Sequence, residues 1–259
     1  MTVRKFLETS VVSNKQVAPS VSLIKIRAPA LARAAHPGQF LMVCSDPSYS
    51  TILARPFSIH NIKDEIVSLL YRIQGPGTQR LSRMVPGSRL SIFGPLGHGF
   101  KIGSRRQKHL LVAGGMGLAP MPFLHATLKL KGCFSTLLYG CRTQSQVIKI
   151  AGPKTILTTD DGSCGIRGLV TQEVENILRP QDGIQVYACG PWPMLAKLAE
   201  ICRRYQVPCQ VSLESRLACG VGACQGCVIR SSEGGYLTVC SDGPVFDSQS
   251  IDWSQEPTL

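Results

Sequence analysis

Residues 109–117 read HLLVAGGMG, a short continuous apolar run closed by glycines. A strand buried on both faces reads this way. Glycines directly behind such a strand let the backbone come close to a pyrophosphate at the start of a helix. A helix does follow, from Met121 to Lys131, with Pro120 at its opening, a position that proline favours. The alternation then continues. FSTLLYG (134–140), TILTTDDG (155–162) and GIQVYACGP (183–191) read as strands, whereas GLVTQEVENILR (168–179) and PMLAKLAEICRRYQ (193–206) read as helices. Strands alternating with helices form a parallel sheet, so a doubly wound α/β domain is expected over residues 103–207.

Upstream the period changes. SVSLIKIRAP (20–29), GQFLMVCS (38–45), RPFSIHNI (55–62), EIVSLLYRI (65–73) and SRLSIFGPLG (88–97) are short strand-like runs punctuated by Pro and Gly. An antiparallel β-barrel over 1–102 is the expectation, interrupted by one helix from Thr78 to Val85. Residues 208–259 are short and rich in Gly and Cys. Burial alone does not stabilise so small a unit, and a metal centre fits as its organising element.

That last segment contains LACGVGACQGCVI (217–229) and then TVC (238–240). The spacing Cys219-x4-Cys224-x2-Cys227, with twelve residues before Cys240, is the plant-type [2Fe–2S] order. Small residues between the cysteines let backbone N–H groups turn towards the sulfurs. A structural zinc site is the alternative, although zinc ribbons usually carry two C-x2-C knuckles and this chain shows one.

In the barrel region, Arg55-Pro56-Phe57-Ser58 lies on an expected strand. An arginine there can neutralise a diphosphate, and a serine hydroxyl can bond a flavin ring nitrogen. Leu70-Tyr71-Arg72 ends another strand, with Tyr71 placed either to pack on a flavin ring or simply to fill the core. Gly77 and Thr78 open the helix, where backbone N–H groups favour phosphate. Gly114, Gly115 and Gly117 form the glycine turn of the α/β domain, and Cys189-Gly190 ends its later strand. By its chemistry alone Cys189 reads first as a buried thiol. No acid–base residue is assigned, because hydride transfer between two cofactors is carried by the cofactors themselves.

Composition narrows the classes further. The formal net charge of +12 admits nucleic acid, an anionic membrane, phosphate-bearing cofactors or an acidic partner. The basic residues are scattered, with no run longer than two around Arg105-Arg106, so a solvated surface is the first reading, and neither a nucleic-acid nor a membrane partner is expected. Neither a signal-peptide pattern nor an apolar run of membrane-spanning length is present, which points to the cytoplasm and makes disulfides an unsuitable reading of the eleven cysteines.

The barrel motifs followed by the glycine turn resemble the ferredoxin–NADP reductase superfamily. The strings RPFSI, LYRIQGPGT, GPLGHGF, TTDDGSCGIRGLVT, YACGPWPM, LACGVGACQGC and VCSDGPVF together resemble the electron-transfer subunits of dihydroorotate dehydrogenases. That resemblance implies a flavin-dependent NAD(P)H oxidoreductase subunit. FAD would lie at Arg55–Ser58, Leu70–Arg72 and Gly77-Thr78, NAD(H) at the α/β domain, and a [2Fe–2S] cluster on Cys219, Cys224, Cys227 and Cys240. It also implies a separate FMN-containing catalytic subunit in a heterotetramer with two copies of each chain. Electrons would pass singly through the cluster to FAD and leave as a hydride to NAD, serving pyrimidine biosynthesis. Alternatives with the same cofactors are the reductase subunit of a hydrogenase, a sulfide dehydrogenase or a ferredoxin-dependent transhydrogenase; a non-catalytic zinc module is a further one. His98, Met116 and Ala119 depart from the family pattern and leave NAD against NADP open.

Overall fold

The computed structural model describes residues 5–44, 53–150, 152–179 and 183–256. Six antiparallel strands close a barrel: β1 (Lys5–Ala18), β2 (Val21–Arg27), β3 (Phe40–Cys44), β4 (Arg55–Lys63), β5 (Ile66–Arg72) and β6 (Arg89–Leu96), in spatial order β1-β2-β5-β4-β3-β6. Closure comes from β1, which pairs β2 on one side and β6 on the other. This longest strand was not among the sequence expectations, because its polar residues blur the alternation. Ser45, the last residue of the expected GQFLMVCS strand, lies outside the described residues. Inward-facing Ile24, Ile26, Leu41, Val43, Ile59, Val67, Leu69 and Ile92 fill the barrel. A short helix α1 (Pro29–Ala34) joins β2 to β3, and α2 (Pro76–Ser82) joins β5 to β6. α2 begins two residues before the expected Thr78, since Gly75 takes the N-cap position and Pro76 opens the first turn.

The second sheet carries the doubly wound pattern. Its strands are β7 (Lys108–Gly114), β8 (Ser135–Cys141), β9 (Lys154–Thr159), β10 (Ile166–Arg167), β11 (Ile184–Cys189) and β12 (Cys209–Ser212), joined by α3 (Met121–Leu130), α4 (Val170–Ile177) and α5 (Trp192–Arg204). The cysteine segment adds a small hairpin, β13 (Val228–Arg230) with β14 (Tyr236–Thr238), and then β15 (Val245–Asp247). The sheet order is β10-β9-β8-β7-β11-β12-β15, parallel except for the antiparallel edge strand β15. Thus β12 and β15, both within residues 208–259, hydrogen-bond into this sheet, while the cysteine loop lies beyond it.

Strand order reverses between β7 and β11, which places a crevice at their carboxyl ends. One core runs from the sheet into the barrel wall and the cysteine segment, joining Val112, Val186 and Val211 to Phe40, Met42 and Leu96 and to Cys227, Val239 and Cys240. The cysteine loop therefore rests on the outside of the barrel at Met42 and Leu96. Among the described residues no helix is long and apolar enough to cross a membrane.

Candidate functional site

A cavity of about 300 Å³ opens where the barrel, the carboxyl ends of the parallel strands and the cysteine segment meet. The barrel contributes every sequence-predicted residue of its two strands: Arg55, Pro56, Phe57 and Ser58 from β4, and Leu70, Tyr71 and Arg72 from β5. Register brings them there, since Phe57 and Ser58 lie opposite Leu41 and Phe40, and Leu70 and Tyr71 opposite Leu23 and Ser22. Phe57 and Tyr71 meet edge to face, with ring centroids 5.6 Å apart. Two aromatic edges at a cavity wall suit a flat heteroaromatic ring.

Thr78 also lines the cavity, but its Oγ1 is occupied, accepting from the N–H groups of Gln74 (2.9 Å) and Gly75 (3.1 Å). The Arg55 guanidinium lies directly over Gly77, where an added Cβ would come within 3.2 Å of Nε. It also donates to the Leu53 carbonyl, which holds the positive charge at the cavity rim.

The α/β side is built differently from the motif reading. Met116 and Ala119, two of the three residues that depart from the family pattern, are the ones that line the cavity. Gly117 is buried behind them, and a Cβ there would collide with the carbonyl of Cys189. Gly114 and Gly190 pack against each other and against Met194, and Gly115 adopts a left-handed φ of 52°. Cys189 is buried behind the wall opposite Ser212 of β12. Burial pushes its thiol pKa well up, so it is a neutral thiol at physiological pH.

Ser212, Leu213, Glu214 and Ser215 complete the wall, and none of them was singled out from the sequence. The available signal was an acid placed just after the strand CQVS, immediately ahead of the cysteine loop. Glu214 is open to the cavity but hemmed in by protein on its other sides. That desolvation raises its pKa, and the charge of Arg72 opposes the shift without cancelling it.

Leu217 and Val239 close the cavity on the cysteine side, and Val239 directly precedes Cys240. The four predicted cysteines lie on the adjoining loop and the turn after β14, where Cys227 meets Cys240 and Cys219 accepts from the Cys224 N–H. Cys227 and Cys240 are buried with their sulfurs 3.3 Å apart, whereas Cys219 is half-buried and Cys224 exposed. Four backbone N–H groups point at sulfur: Val221 and Cys224 at Cys219 (both 3.4 Å), Gly222 at Cys240 (3.1 Å) and Cys240 at Cys227 (3.4 Å). The N–H of Val221 first, and then that of Cys224, bring the Cys219 thiol down to about 6. Burial, reinforced by Cys227, pushes Cys240 up to about 12.

Gly220 keeps the loop against the barrel, with a φ of 71° and room for no side chain beside Met42. The carboxylate of Asp242 accepts from the N–H and hydroxyl of Thr238, both at 2.6 Å, and so fixes the turn that carries Cys240. A binuclear cluster takes its thiolates in pairs and accepts N–H donors to sulfur, and the arrangement fits that group.

Fold and site together define a reductase of the ferredoxin–NADP reductase class with a plant-type cysteine loop joined to its cavity. The chain is similar to a solved structure of an NADH-dependent reduced ferredoxin–NADP oxidoreductase, with 27% identity and a TM-score of 0.84 over 95% of this chain and 90% of that one. Residues 214–252 match the family model for the iron–sulfur cluster binding domain of dihydroorotate dehydrogenase B. Two relatives named as the electron transfer subunit of dihydroorotate dehydrogenase B (NAD(+)) match nearly end to end. The one from Caldanaerobacter subterraneus is 39% identical over 95% of this chain and 98% of its own. The one from Desulforamulus reducens is 35% identical over 96% and 99%. The chain belongs to the family of dihydroorotate dehydrogenase B electron transfer subunits.

Proposed function

We propose that this chain carries electrons between a catalytic dihydroorotate dehydrogenase subunit and NAD, using FAD in the cavity and a [2Fe–2S] cluster on Cys219, Cys224, Cys227 and Cys240. One observation carries the reading: Val239 lines the cavity and the next residue, Cys240, is a cluster-site cysteine. Bound FAD would exchange electron pairs with NAD, and the cluster would relay single electrons to the partner.

The protein's own part is positional and electrostatic. Arg55 would neutralise the diphosphate, and Ser58 would orient the ring by a hydrogen bond. Phe57 and Tyr71 supply the ring's apolar contact. Glu214 would hold or release a proton beside the ring, with Arg72 as the opposing charge. The glycine turn from Gly114 to Gly117, next to Cys189-Gly190 at the switch point, would take the pyridine nucleotide. The partner in this reading is an FMN-containing catalytic chain in a cytoplasmic heterotetramer with two copies of each subunit.

The test is an anaerobic visible spectrum of the purified chain, with flavin, iron and zinc quantified before and after NADH. The expected result is one flavin and about two irons, bleached by NADH and unaffected by dihydroorotate until the catalytic subunit is added. A colourless protein that holds zinc would overturn the reading.

A further inference from the structure

Residues that are scattered in the sequence form one surface in the fold. In a parallel sheet all strands start at one edge and end at the other. The flavin cavity and the glycine turn occupy the carboxyl edge, after β7 and β12. At the opposite edge the starts of β7, β8 and β9 lie side by side, because Ser135 pairs with His109 and Lys154 with Thr136. Arg105 and Arg106 lead into β7, which begins at Lys108; Lys129 and Lys131 bracket the end of α3, and Lys154 opens β9. All six are exposed. Arg105 donates to the Lys131 carbonyl, which ties the β7 approach to the α3–β8 loop. From Ile66 to Thr159 the sequence contains no Asp or Glu, so β7, β8, β9 and the loops between them add no carboxylate to this face.

Two large apolar side chains stand among these cations. Leu130 is 88% and Phe134 93% exposed, the highest values of any large apolar residue described. They belong to one stretch, the end of α3 and the turn into β8, Lys129-Leu130-Lys131-Gly132-Cys133-Phe134. A folded chain seldom holds a phenylalanine and a leucine fully in water within a basic face unless something covers them.

We propose that this face docks on the surface of an anionic phospholipid bilayer, with Leu130 and Phe134 entering the headgroup region and the surrounding lysines and arginines meeting lipid phosphates. The side chains protrude instead of lining a groove. A bilayer interface accepts protruding apolar groups wherever they fall, whereas a protein partner must offer matching pockets. Long basic side chains around an apolar tip can lie along the interface and keep their charges in the phosphate layer. Docking at this edge leaves the cavity and the cysteine loop uncovered. The sequence expectation of no membrane partner rested on basic residues being dispersed along the chain, and folding gathers them.

The test is co-sedimentation of the holoprotein with vesicles of phosphatidylglycerol and phosphatidylcholine, against vesicles of phosphatidylcholine alone, at about 0.1 M salt, where the Debye length is about 10 Å. Binding to the anionic vesicles only, weakened at about 0.5 M salt, is expected. Two variants should each lose roughly tenfold or more in vesicle affinity, one carrying Leu130→Ser with Phe134→Ser and the other Lys129→Glu with Lys131→Glu. Both should keep wild-type flavin and iron content and NADH-driven bleaching. Absence of wild-type binding, equal binding to neutral vesicles, or variants that bind as wild type does would each overturn the proposal. So would variants that fail to assemble with the catalytic subunit while the wild type ignores vesicles, since the face would then be a protein interface.

Discussion

The hydroxyl of Tyr71 donates to Oδ1 of Asn14 at 3.1 Å, and the amide of the same Asn14 donates to the carbonyls of Leu81 (2.8 Å) and Met84 (3.2 Å). One side chain on β1 thus fixes an aromatic wall of the cavity and the carboxyl end of α2, whose first turn lies under Arg55. The Tyr71 wall and the Arg55 corner of the cavity are tied from behind by one residue that does not itself line the cavity.

Asn14→Ala should therefore weaken FAD binding by roughly tenfold, equivalent to about 1.4 kcal/mol, because it removes one acceptor of the Tyr71 hydroxyl and the amide that ties the end of α2 to β1. Tyr71→Phe should cost less, and the double variant little more than Asn14→Ala alone, as expected of coupled residues. Flavin fluorescence titration of the apoprotein measures all three. Additive losses would show that the two residues act independently.

The sequence revealed the parts of this molecule that rest on local rules. Glycine after a buried strand and Pro at a helix start each have one dominant backbone meaning, and the barrel strand Arg55–Lys63 and helix Met121–Leu130 fold accordingly. What stayed hidden depends on contacts distant in sequence. Asn14 is an ordinary polar residue until β1 brings it to Tyr71, a partner 57 positions away. Glu214 gains its role only because β12 ends at a cavity whose other wall is the barrel. The β1 strand escaped notice because it is half-exposed along much of its length, so its alternation is weak.

Glu214 has a raised pKa, so its charged form is disfavoured in the folded chain relative to the unfolded one. A raised carboxyl pKa contributes stability that is complete below the unfolded value and is lost as pH rises through the folded value. Glu214 should therefore contribute a loss of thermal stability between mildly acidic and neutral pH in the flavin-free protein, so that Glu214→Gln gains on the wild type over that interval. Melting temperatures of both proteins from pH 4 to 8, roughly spanning the carboxylate range, supply the check. Parallel curves would mean that Glu214 is solvated like a surface carboxylate.

The four cysteines differ in burial, and their variants should differ accordingly. Cys224 is exposed and Cys227 buried, and Cys227 accepts the N–H of Cys240. Cys224→Ser and Cys227→Ser should both abolish iron binding while leaving flavin bound. Only Cys227→Ser should also destabilise the metal-free chain, by about 1–3 kcal/mol, since it places a hydroxyl in an apolar floor. Iron analysis combined with urea unfolding of the apoproteins separates the two effects. Equal stability of both variants would argue that the floor is wet.

Gly117 is the tightest point of the switch crevice. A Cβ there would collide with the Cys189 carbonyl, so Gly117→Ala has to push the glycine turn away from β11. The turn carries Met116 and Ala119 into the cavity on one side, and its displacement shifts both. Overpacking of this kind typically costs about 1–3 kcal/mol. Stopped-flow reduction by NADH should therefore slow in Gly117→Ala, with a melting temperature several degrees lower and the cysteine loop still holding its iron. The contrasting substitution is Gly183→Ala, at the amino end of the same strand, where an added Cβ meets nothing within 4 Å. Its φ of 59° still carries a backbone cost, so it should lower stability without slowing reduction by NADH. Equal slowing in both variants would locate the effect in general stability and not in the crevice.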